Sequence, residues 1–145
     1  MCDLMDLIEL ENHPLARAVP LKMPVEFYVD GEIGPHPSLP EVTGKIVTIV
    51  IEKKFNKFER VLAKIFRAPP HLKRVLDHKN SLLWELIDGE RDFLSICRHM
   101  DQTYNEDVAP VGQRVAMGLK TFERLRLIRI YYREEEREYS QEVCQ

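Results

Sequence analysis

The apolar positions of this chain change period several times, and each change marks an element. Ile46-Val47-Thr48-Ile49-Val50-Ile51 is β-branched throughout and predicts a strand. Phe55, Phe58, Val61, Leu62, Ile65 and Phe66 then recur at the spacing of one helix face. Pro69-Pro70 stops that helix, because proline disfavours helix in the residue before it. Residues 72–76 mix apolar and basic positions without strict alternation and predict a second strand.

Three further helices follow. Leu82, Leu83, Leu86 and Ile87 form the inner face of the first, with Asp77 as its cap and Asp88-Gly89 as its stop. That phase turns Trp84 outward or over a sheet edge. Phe93, Ile96, Cys97, Met100 and Tyr104 stripe the second, behind the cap Asp92. Val111, Val115, Leu119, Phe122 and Leu125 point inward from the third, at 109–126, with Pro110 in its first turn. Residues 127–132 predict a closing strand, and the charge run 133–138 a solvated tail.

The first 45 residues read differently. They hold Pro14, Pro20, Pro24, Pro35, Pro37 and Pro40, six of the nine prolines, and so predict extended or loop-like backbone. One short strand is expected at 25–29, closed by Asp30-Gly31, and the apolar run 4–10 is too short to stand alone as a helix. The chain therefore divides into an acidic, proline-rich arm (1–45), a folded domain (46–132) and a charged tail (133–145). The order of elements predicts an α+β fold, a winged helix-turn-helix made of a three-helix bundle with a small antiparallel sheet.

Composition narrows the function classes. A chain of 145 residues with 44% hydrophobic content suits one domain with a packed core. A net charge of −3 argues against a general nucleic-acid coat protein. No apolar run is long enough for a transmembrane span, and the acidic start Met1-Cys2-Asp3 is unlike a secretory signal. The three cysteines are too few and too far apart for a disulfide framework or a metal cage. A cytoplasmic protein without cofactor is the expectation. Charge is uneven within it: the arm is net −5, while residues 53–79 hold nine basic and two acidic residues. Lys57, Arg60, Lys64 and Arg67 share one helix face, which reads as a solvated face, a basic lip for an acidic peptide, or a nucleic-acid or membrane surface. The arm folding back onto that basic surface is a further expectation.

Catalytic spacing is missing. The six glycines form no phosphate loop, and the five histidines sit singly, His71 and His78 being the one pair worth weighing as metal ligands. Cys97 lies on an apolar stripe and reads as core rather than nucleophile. Glu85, Asp88 and Glu90 surround a turn without an evident pocket. The chain reads as a non-enzyme.

The stretch Leu82-Leu83-Trp84-Glu85-Leu86-Ile87-Asp88-Gly89-Glu90-Arg91, then Ile96, Met100 and Tyr104, then Arg114, Leu119, Leu125 and Leu127-Ile128, resembles the PqqD family. These are small winged-helix proteins named for the D protein of pyrroloquinoline-quinone biosynthesis. The resemblance covers residues 46–132; the acidic arm lies outside it, and Asp92 stands where Thr or Ser is common. It implies a peptide-binding module that takes a precursor (leader) peptide as an added strand and presents it to a peptide-modifying enzyme, often of the radical SAM type. It places the groove at Lys73, Arg74, Val75 and Leu76 on the strand and at Arg114, Met117, Lys120 and Thr121 on the last helix.

Two other functions compete. A winged helix can be a DNA-binding regulator, but the approach to the last helix offers Glu106 and Asp107 against the single Arg114, which disfavours phosphate. An assembly subunit of a larger enzyme is the third reading. An unpaired strand edge could equally pair with a second copy, giving a homodimer.

Overall fold

The structure, a computed structural model, describes residues 10–52, 61, 64, 65 and 71–132. Strands β1 (Ala18–Lys22), β2 (Glu26–Asp30), β3 (Ile46–Glu52) and β4 (His71–Val75) precede helices α1 (His78–Leu86), α2 (Phe93–Tyr104) and α3 (Val111–Arg124), and β5 (Ile128–Tyr132) closes the order. Among the described residues this is an α+β fold with three helices and small antiparallel sheets. The helix expected at 55–66, with its basic face, and the tail at 133–145 fall outside the described residues, save Val61, Lys64 and Ile65. The chain forms two compact units, residues 24–85 and residues 1–23 with 86–145.

The division differs from the expected one at residue 45. The arm contributes β1 and β2, one to each unit. Proline did not prevent this, because of where it stands. The Met23 N–H donates to the Leu127 carbonyl at 2.9 Å, so alternation turns Leu21 and Val19 toward β5 and Pro20 away from it. The missing N–H of Pro20 thus faces away from the ladder, where a strand tolerates proline.

In the unit 24–85, β3 is the central strand between β2 and β4, both antiparallel to it. Its β-branched run buries Val47 and Ile49. Asp77 caps α1 by accepting from the Asn80 N–H at 2.7 Å. Ser81 ties that helix to the sheet where β3 and β4 part: Val47 N–H donates to Ser81 Oγ at 2.9 Å, and Ser81 donates to the Leu76 carbonyl at 3.3 Å. The hydroxyl takes the place of a direct ladder bond. Residues 81–87 are all buried, Trp84 completely. Of the two expected placements of Trp84, outward or over a sheet edge, the structure gives the second: Phe27 of the edge strand β2 meets it edge to face, ring centroids 5.5 Å apart.

In the other unit, β1 pairs with β5, and Val19, Phe93, Ile96, Cys97, Met100, Val115, Leu119 and Phe122 are buried. Asp92 caps α2, accepting from Ser95 N–H at 2.8 Å. Pro110 stands just before α3 rather than in its first turn. The turn after α1 also belongs here. Asp88 Oδ1 accepts from the N–H groups of Glu90 and Arg91 at 2.9 and 2.7 Å, and Gly89 takes φ +83°. Partial burial pushes the Asp88 carboxyl up, but those two N–H groups and the Arg91 guanidinium together hold it below its ordinary value.

Candidate functional site

The predicted strand residues lie on an open edge. Among the described residues β4 pairs with β3 alone. Leu76 N–H donates to the Val47 carbonyl at 2.9 Å, so alternation points the backbone groups of Arg74 and Leu72 toward β3 and those of Lys73 and Val75 away from it. Lys73 and Arg74 are exposed, and so are two apolar neighbours, Leu72 at 50% and Val75 at 67%. The edge therefore reads apolar, basic, basic, apolar, and among the described residues no strand pairs with the outward backbone groups of Lys73 and Val75. Leu76 departs from the expectation: it lies past the end of β4 and is buried at 6% exposure, because its N–H and carbonyl both close onto β3 through Val47 and Ser81.

Register assigns the side chains to faces. Lys73 stands opposite Val50 and Val75 opposite Thr48, whose other neighbour is Tyr28; Arg74 stands opposite Ile49, whose other neighbour is Phe27. Lys73 leans across the sheet, its ammonium 5.8 Å from the centre of the Tyr28 ring. Tyr28 was not among the expected site residues, although the strand expected at 25–29 contained it. Phe27, on the opposite face, is the residue that meets Trp84.

The predicted helix residues belong to the other unit. Val111, Val115, Leu119 and Phe122 hold the inner face of α3, which leaves Arg114, Met117 and Lys120 exposed, Met117 at 71%. Thr121 is half-buried and donates its hydroxyl to the Met117 carbonyl at 2.9 Å, as a threonine inside a helix commonly does. The strand and helix sets thus each stand on the outer surface of their own element, Leu76 and Thr121 apart.

Glu85 has a role that spacing did not reveal. Its buried carboxylate, 6% exposed, accepts from Thr43 N–H at 2.9 Å, Gly44 N–H at 3.2 Å and the Thr43 hydroxyl at about the same range. Three backbone and hydroxyl donors satisfy a charge that would otherwise be costly to bury. Glu85 clasps the loop before β3 to α1. The sequence signal for it is faint: an acid within an apolar run, next to the tryptophan. Among the described residues no group of three or more His, Cys, Asp or Glu is placed to hold a metal ion, and no helix is long and apolar enough to cross a membrane. A groove of about 700 Å³ beside β5 is lined by Leu21, Ile128 and Ile130 together with Arg126, Arg129 and Glu123.

Comparison with known proteins finds no family model, no curated protein and no solved structure that matches this chain.

Proposed function

We propose that this chain is a non-catalytic peptide-recognition module. It takes up a precursor peptide as an added strand along β4 and presents it to a peptide-modifying enzyme, a radical SAM enzyme being the type the family resemblance implies. The single observation behind this reading is the open edge of β4, with Leu72 and Val75 exposed beside Lys73 and Arg74 and, among the described residues, β3 as its one partner strand. An open strand edge offers backbone hydrogen bonds to an extended peptide, and alternate side chains read its sequence. In the same reading, residues 46–132 are a winged-helix domain, and the exposed Arg114, Met117 and Lys120 on α3 are further peptide-contacting residues.

A display library of random peptides tests this. Binders are selected on the full chain and mapped by backbone amide shifts. Selected peptides are expected to perturb and protect the Lys73 and Val75 amides. A library that yields no binder, or binders that leave both amides unchanged, overturns the reading. Retention of duplex DNA by the chain in place of peptides would favour the regulator instead.

A further inference from the structure

The edge of β4 carries a charge pattern that does more than invite a strand. Two cations stand in the middle of the exposed segment, Lys73 on one face of the sheet and Arg74 on the other, and an apolar residue flanks each side. We infer that this edge selects an extended peptide of the pattern apolar, acidic, acidic, apolar, and rejects pairing with a second copy of this chain. The inference rests on the strand-addition reading above and names what that site accepts.

The argument for selection is cross-strand pairing. A strand laid along β4 places one residue beside each of Leu72, Lys73, Arg74 and Val75. Opposite charges across a pair of strands stabilise the pairing, and like charges destabilise it. The order apolar, basic, basic, apolar reads alike from both ends, so parallel and antiparallel peptides call for the same pattern. Both sheet faces take part, because Lys73 and Arg74 point to opposite faces. A peptide with only one acid would satisfy one face alone.

The argument against self-pairing is register. The backbone groups at Lys73 and Val75 face outward, so an antiparallel partner must oppose outward residues to outward residues. The register that overlaps the whole strand puts Lys73 against Lys73 of the second copy. The next register toward Leu76 puts Arg74 against Arg74. Both place like charges directly opposite, which is how natural edge strands discourage association. The homodimer admitted by an open edge is therefore disfavoured at this one.

Two synthetic peptides test the inference, one centred on Val-Glu-Glu-Leu and one on Val-Lys-Lys-Leu, titrated into the full chain by fluorescence anisotropy with amide shifts recorded at Lys73 and Val75. The acidic peptide is expected to bind about tenfold tighter, from two cross-strand pairs changed from attraction to repulsion. The double variant Lys73→Glu with Arg74→Glu is expected to reverse that order. Equal affinities with both peptides seated at Lys73 and Val75 would overturn the selection and leave the strand-addition reading standing. If neither peptide binds or shifts those amides, the reading falls and the inference with it. The self-pairing argument is checked separately by sedimentation: Lys73→Val is expected to raise the dimer fraction at equal concentration, and an unchanged fraction overturns it.

Discussion

Helices α1 and α3 solve opposite problems. The inward residues of α3, Val111, Val115, Leu119 and Phe122, keep one stripe, and Arg114, Met117 and Lys120 stay in solvent. From Ser81 onward α1 has no solvent face at all. Its polar residues are used inside: Ser81 joins β3 to Leu76, and Glu85 holds Thr43 and Gly44. A helix buried all round needs cover from elements distant in sequence, and here it comes from Phe27 and the loop at 43–44. An amphipathic helix shows its role within its own residues; a surrounded one shows it only through its neighbours.

The sharpest way to break this contrast is to remove the cover. Deleting residues 1–45 strips α1 of Phe27, Thr43 and Gly44, and strips α3 of Leu10, which lies against Gly112. Loss of cooperative thermal unfolding is expected; calorimetry of the truncated chain decides. Within the helices, Trp84→Ala should cost about 3–5 kcal/mol by urea denaturation, as large aromatic truncations in cores do. Met117→Ala on the open face of α3 should stay within about 0.5 kcal/mol. Equal losses at the two positions would erase the contrast. Glu85→Ala leaves the Thr43 and Gly44 N–H groups without their acceptor and should cost about 1–3 kcal/mol, with faster amide exchange confined first to those two residues.

Two smaller effects sharpen the picture at the helix ends. Past α3, Leu127 N–H donates to the Phe122 carbonyl and Arg126 N–H to that of Glu123, a closure that usually takes glycine at the position of Arg126. Arg126 holds φ 61° there. Arg126→Gly is expected to raise stability by up to about 1 kcal/mol, read as a higher urea midpoint, since a side chain in left-handed backbone is strained. Past α1, the depressed Asp88 carboxyl means that its stabilising contribution is complete above the unfolded value of 3.8 and is lost as pH falls through the lower folded value. The gap in urea midpoint between the wild-type chain and Asp88→Asn should therefore close on acidification below pH 3.8.

The site was legible to the extent that it is local. Lys73, Arg74 and Val75, like Arg114, Met117 and Lys120, are named by the family resemblance; the helix three also lie off the inward stripe of α3, whereas Leu72 to Val75 are all exposed and follow no strand period. Leu76 could not be separated from them, since its burial depends on a ladder bond to Val47, far away in the chain. Tyr28 joins Lys73 only through β3, which stands between their strands. That β4 has, among the described residues, β3 as its one partner strand is likewise a property of the sheet order and not of residues 71–75.

Periodicity and capping chemistry by themselves determined the core of α2 and α3, the strand at 46–51, the cap at Asp92 and the turn at Asp88-Gly89, because each rests on contacts within a few residues. Only the tertiary structure decided that the proline-rich arm supplies β1 and β2, that Trp84 and Glu85 lie inside, and that β4 stands at an edge among the described residues. Those outcomes turn on which segments meet across long stretches of chain, and on backbone groups, such as the absent N–H of Pro20, whose direction is set by the partner strand.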